Sequence, residues 1–142
     1  MRRYYEFAVA VILIGILALM LMRSLGEARL AMEEATVQSV AAAMRIELLE
    51  AVVHRETTGA PLPASANPVD WVSARPAAYL GERDAAPEQT SVWYFDRSAG
   101  ELVYRFDDGH RARFRLTREG GAGQGRAVIA GIGLARLEDK TD

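Results

Sequence analysis

Glu6-Phe7-Ala8-Val9-Ala10-Val11-Ile12-Leu13-Ile14-Gly15-Ile16-Leu17-Ala18-Leu19-Met20-Leu21-Met22-Arg23 is the stretch on which the reading of this chain turns. Every residue from Phe7 to Met22 is apolar or glycine, sixteen in succession between a carboxylate and a guanidinium. A bilayer core takes about 20 residues, with tolerance from about 17, and the flanks supply the difference. Tyr4 and Tyr5 suit the headgroup layer, and Arg23 can carry its charge outward on an apolar stem. Residues 1–24 therefore read as a transmembrane anchor helix. Glu6 at its margin must be neutralised, paired or held among headgroups, which makes it a candidate interaction residue. Arg2 and Arg3, with the terminal amine, are the topology signal: positive charge on the short side predicts a cytoplasmic N-terminus and an external remainder. A cleaved secretory signal shares the broad pattern. The interposed Glu6, Arg23 directly behind the run, and small-x-small triplets that come late and among charges favour a retained anchor.

Beyond Met22 no proline interrupts the chain until well past Glu56, and Gly26 is the one glycine on the way. Leu25, Leu30, Met32, Val37, Val40, Met44, Leu48, Leu49 and Val52 recur at helical spacing. Arg29 with Glu33, and Arg45, Glu47, Glu50 and His54 together, offer charges one turn apart on the other face. An amphipathic continuation over residues 25–57 follows, giving one helix of about 50 residues, roughly 75 to 80 Å long. Thr57-Thr58-Gly59 ends it, and the proline-rich stretch from Ala60 to Pro68 reads as a loop with Trp71 as its anchor. Between Val69 and Gln89 the pattern is weak, with one short helix expected near Pro76 to Leu80.

The remainder reads as strands. Ser91 to Asp96, a turn at Arg97 to Gly100, and Glu101 to Phe106 form one hairpin; Asp107-Asp108-Gly109-His110 turns the chain into Arg111 to Arg118. Leu102, Tyr104, Phe106, Phe114 and Leu116 would make a core face, while Arg105, Arg113 and Arg115 would point to a wet one. Glu119 to Gly125 reads as a flexible connection, Ala127 to Leu137 as a last strand, and Glu138 to Asp142 as a solvated tail. The fold class is α+β: a long N-terminal helix, its first half spanning a membrane, packed on a small antiparallel β-sheet domain at 58–142.

Composition narrows the function classes. With 50% apolar residues and a net charge of −2, neither disorder nor bulk nucleic-acid binding is indicated. The absence of cysteine removes disulfides, thiolate metal sites and cysteine nucleophiles. His54 and His110 share no metal spacing, and Asp107-Asp108-Gly109 stops short of a calcium loop. Gly120 to Gly125 lacks the lysine of a phosphate-binding loop. No catalytic triad or carboxylate pair stands out, so no enzyme, cofactor, metal or small-molecule substrate is expected. The guanidiniums of Arg105, Arg113 and Arg115 could form a ligand face for DNA or another anion, although Glu101, Asp107, Asp108 and Glu119 lie close enough to offset them.

The segment Glu6 to Ala18 resembles the N-terminal helix of type IV pilins and type II secretion pseudopilins, with Glu6 and Gly15-Ile16-Leu17-Ala18 at the family's spacing. In size and in the Trp93-Tyr94-Phe95-Asp96 to Leu102-Val103-Tyr104-Arg105 hairpin the chain is similar to the small pilin-like accessory proteins of mannose-sensitive haemagglutinin (MSHA) pilus operons. The resemblance implies a non-enzymatic minor subunit or accessory protein of a pilus or pseudopilus. It would be held in the bacterial inner membrane with its sheet domain in the periplasm, and its partners would be other pilin or pseudopilin subunits and the inner-membrane assembly platform. It further implies that Glu6, Gly15, Ile16, Leu17 and Ala18 serve assembly, with Glu6 meeting the N-terminal amine of a neighbouring subunit. The leader departs from the family: Met1 stands where the peptidase requires glycine and Arg2 where phenylalanine is usual. Either the subunit stays unprocessed or translation starts upstream.

Overall fold

The computed structural model describes residues 1–118 and 132–139. Its elements are a helix α1 (Arg2–Thr58) and five strands: β1 (Tyr79–Arg83), β2 (Val92–Asp96), β3 (Glu101–Arg105), β4 (Arg111–Arg118) and β5 (Ile132–Arg136). The architecture is α+β, one long N-terminal helix and one five-stranded sheet in the order β1-β2-β3-β4-β5. Two compact units divide the chain, Met1–Glu34 and Ala35–Asp142.

The first unit is helix alone. Residues 1–29 are all exposed, including Phe7, Leu13, Ile14, Leu17 and Met22. No proline or glycine pair breaks the backbone hydrogen bonding there, so the apolar run stays helical.

In the second unit the rest of α1 turns Val37, Ala41, Met44, Leu48 and Val52, at three- and four-residue steps, toward a common core. That core includes Trp93, Phe95, Leu102, Tyr104, Phe106 and Phe114 from one face of the sheet. Trp93 packs against Tyr104 with ring centroids 5.0 Å apart, and Tyr104 meets Phe106 edge-on at 4.9 Å, geometries that aromatic quadrupoles favour. The helical stripe read from sequence thus divides: Val37, Met44, Leu48 and Val52 enter this core, whereas Leu25 and Met32 stay exposed. Two residues read as solvating charges instead tie α1 to the domain. Arg45 Nε donates to the Leu134 carbonyl at 3.0 Å, and Glu47 Oε2 accepts from the amide and hydroxyl of Ser73 at 2.9 and 3.1 Å.

The helix ends as expected. Gly59 takes φ +68°, and the Ala60 amide reaches back to the Arg55 carbonyl at 3.1 Å, the six-to-one bond of a glycine-terminated helix. Thr57 and Thr58 hydroxyls donate to the His54 carbonyl at 3.0 and 2.8 Å. The following loop is anchored by Trp71, buried, whose Nε1 donates to the Ser65 carbonyl at 3.0 Å beneath the Arg118 guanidinium.

The sheet corrects three expectations. Residues near Pro76 to Leu80 form no helix; Tyr79–Arg83 is an edge strand parallel to β2, which makes the sheet mixed rather than antiparallel. Its register slips between Tyr79 and Glu82, where Gly81 takes φ +88°, a conformation that glycine adopts without Cβ strain. Buried Asn67 holds the strand from outside: its Nδ2 donates to Tyr79 Oη at 2.9 Å and to Glu82 Oε1 at 3.3 Å, while its Oδ1 caps the Val69 amide. The two anticipated hairpins, β2–β3 and β3–β4, are present, with Trp93 opposite Tyr104 and Leu102 opposite Phe114. β5 covers the later part of the anticipated last strand. The Glu119 to Gly125 connection, residues 127–131 and residues 140–142 lie outside the described residues.

The third expectation overturned is the wet face. Arg105, Arg113 and Arg115 do point away from the helix, but Val92, Tyr94, Val103 and Glu101 share their face and are buried. Alternation correctly assigned the faces, but it carries no information on what covers the second one.

Candidate functional site

Two surfaces carry the residues singled out from sequence. The first is the exposed helix of the first unit. Gly15, Ile16, Leu17 and Ala18 all lie on α1 and are exposed, and nothing comes within 4 Å of a Cβ placed on Gly15. A gap of that kind lets another helix approach closely. Arg2 and Arg3 occupy the first turn, where the helix macrodipole disfavours cations. Arg2 Nε lies 3.3 Å from Glu6 Oε1, four residues on, with both side chains open to the surroundings. Glu6 is therefore paired within its own helix, by a contact weak enough in water to be exchanged.

The second surface is the arginine face of the sheet, built from β3 and β4. Glu101 is only 3% exposed. Arg115 donates to its Oε1 at 2.6 Å and Arg113 to its Oε2 at 3.3 Å, so each oxygen faces a separate guanidinium. Arg113 also donates to the Glu138 carbonyl at 2.9 Å, and Arg105 donates to the Pro87 carbonyl. The three arginines proposed as a ligand face are thus brought together and already engaged by internal acceptors. On the same face burial pushes the Tyr94 phenol above its ordinary 10.0, with the charge and hydrogen bond of Arg111 working against that rise.

The turns flanking these strands are self-contained. Asp96 Oδ1 accepts from the Ser98 amide and hydroxyl at 2.9 and 2.6 Å and from the Ala99 amide at 3.1 Å. Burial opposes its ionisation, but those hydrogen bonds outweigh it and hold the carboxyl below its ordinary 3.8. A depressed carboxyl stabilises the fold above its unfolded value and loses that contribution as pH falls through the folded one. Asp96→Ala is expected to cost about 1 kcal/mol at neutral pH. In Asp96→Asn the acid-dependent part of stability below pH 3.8 should shrink; matched urea melts at pH 3 and pH 7 check both. At the other turn the His110 ring bonds Asp108 and stacks on Phe106 at 3.9 Å. Desolvation resists ionisation of Asp108 too, and its bonds from the His110 ring and amide carry it below the usual carboxylate value. His110 is accounted for by this turn.

An open groove of about 500 Å³ lies beside α1, lined by Glu47, Glu50, His54, Thr57, Trp71 and Ser73. Glu47 is spent on Ser73, and among the described residues no three His, Cys, Asp or Glu side chains are grouped to hold a metal. Sequence reading missed the structural roles of Asn67, Glu47 and Glu101. The Asn67-Pro68 dipeptide was a signal for the first; nothing in the alternation of β3 marked Glu101 as buried.

Of the described helices, α1 alone is long and apolar enough to cross a membrane, and none of its most apolar stretch is buried. Comparison with protein-family models, with curated proteins and with solved structures found no match to this chain.

Proposed function

We propose that the chain is a non-enzymatic, pilin-like minor subunit or accessory protein of a type IV pilus or type II secretion pseudopilus. In this reading it is a single-pass protein of the bacterial inner membrane, with its N-terminus in the cytoplasm and its sheet domain in the periplasm. It acts by packing its exposed apolar helix against pilin-type helices or the assembly platform. The observation that carries the reading is the exposed apolar stretch of α1, bearing Glu6 and Gly15-Ile16-Leu17-Ala18 at pilin spacing and continuing into a helix whose later face is the core of an α+β domain.

Exposed Leu, Ile and Phe along the first unit suit acyl chains, and the small residues Gly15 and Ala18 suit close helix approach. The Arg2 pair with Glu6 keeps that carboxylate compensated in a lone subunit and leaves it available for exchange with a neighbour's cation. Within the family, the sizes and hairpins point to the accessory proteins of MSHA pilus operons. Cross-linking in native membranes from a position on the apolar run tests the reading, and recovery of pilin-type subunits is the expected result. The other reading, a tethered module that binds DNA or another anion through Arg105, Arg113 and Arg115, is disfavoured by the internal acceptors those side chains already hold.

A further inference from the structure

In the second unit α1 has a face that its own core does not use. Ala35, Ser39, Ala42, Ile46, Leu49 and Val53 follow one another at alternating steps of four and three, the spacing of a coiled-coil seam. The core row, Val37, Ala41, Met44, Leu48 and Val52, lies on the other side of the helix. Ala35, Ser39 and Ala42 are exposed, Ile46 is 67% exposed and Val53 47%. Large apolar side chains regularly spaced on a face turned from the core mark an interaction surface rather than scattered surface residues. The same spacing runs back in the sequence through Met32 and Leu25.

We infer that this seam pairs with the same seam of a second copy of this chain, parallel and in register, as a two-stranded coiled coil. The flanks select that occupant. With Ser39, Ile46 and Val53 at a and Ala42 and Leu49 at d, Arg45 falls at g and Glu50 at e, which face each other across a parallel, in-register pair. Gln38 would face Ala43, so no like charges meet along the seam, which ends at Val53, before Glu56 takes the next d position. An antiparallel pair would bring g against g and lose the Arg45–Glu50 match. Arg45 keeps guanidinium nitrogens beyond the Nε that holds Leu134, and Glu50 is exposed. Alanine at d lets the backbones approach, and Ser39 at an a position favours one register over a slipped one. The parallel sense rests on the anchored reading above, since copies inserted the same way in one membrane present their helices in the same direction.

The chain has no cysteine, so single cysteines report contacts cleanly. Full-length Ala42→Cys and Ile46→Cys, oxidised in native membranes, are expected to give disulfide-linked homodimers, while Glu88→Cys and Ser98→Cys, exposed in the loops that flank β2, stay monomeric. Adding Ile46→Lys to Ala42→Cys should lower the linked fraction at least about tenfold, and adding Ile46→Leu should preserve it. Ile46 is open to solvent, so neither change disturbs the core. Monomers throughout, equal linking at all four positions, or adducts only to a different protein would overturn the inference. Homodimers report on this chain alone, whereas the pilin-like reading is tested by adducts to other subunits, so either can fail without the other.

Discussion

Replacing Phe114 by alanine is expected to lower the unfolding free energy by about 3 to 5 kcal/mol, the range for deleting a buried aromatic ring. Phe114 is 1% exposed at the middle of β4, pairs with Leu102 of β3 and Arg136 of β5, and packs 5.8 Å from the Trp93 ring. It thus joins the strands on which the α1 row of Val37 to Val52 rests, and its loss leaves a cavity that the sheet backbone cannot close. Urea unfolding of the full-length protein in mild detergent, followed by tryptophan fluorescence, measures this directly. Both tryptophans, Trp71 and Trp93, belong to the same core. Leu116→Ala, on the same face but only half-buried, should cost clearly less. A loss below about 1 kcal/mol for Phe114→Ala would place it among ordinary surface changes and contradict the described core.

Glu101→Ala should be the next most damaging change, at about 3 kcal/mol, the lower end of the range for removing one partner from a buried ionic group. Its carboxylate is the shared acceptor for Arg113 and Arg115. Without it Arg113, mostly buried, keeps its charge with the Glu138 carbonyl as its one remaining hydrogen-bond acceptor among the described residues. The figure sits at the lower end because Arg115 is 52% exposed and can be rehydrated. For the same reason Arg115→Ala should cost no more than about 1 kcal/mol. The contrast between these variants, measured in the same urea melts, separates a buried structural carboxylate from a surface ion pair. Equal small losses would contradict the placement of Glu101. The same result bears on ligand binding, because arginines that stabilise their own domain through Glu101 are poorly placed to release it for a phosphate.

Legibility followed the kind of signal each segment carries. The helix was readable because sixteen apolar residues and a proline-free continuation leave the backbone few alternatives. Trp71 as the loop anchor and Asp-Gly at the second hairpin were likewise local chemistry. β1 was not readable, because Tyr-Leu-Gly-Glu-Arg has no alternation to display and its strand state depends on Asn67 and on pairing with β2, contacts distant in sequence. The second face of the sheet misled for a related reason. Arginines at alternate positions look solvated until a buried acid between them is located, and β3 carries that acid at its first residue. For the candidate site, Glu6 and the Gly15 to Ala18 group were legible as residues. Their partner within the chain, Arg2, had been read for topology and its pairing with Glu6 was not anticipated.

The central claim is that the apolar part of α1 packs against pilin-type helices. A photoactivatable residue at Leu17, which is 69% exposed in the lone chain, tests this most directly when irradiated in native membranes and followed by mass spectrometry of the adducts. The account predicts adducts to other single-pass subunits carrying a glutamate at the start of an apolar N-terminal helix, reduced when Glu6 is replaced by alanine. Adducts to lipid alone, to this chain's own copies alone, or to unrelated membrane proteins would contradict it.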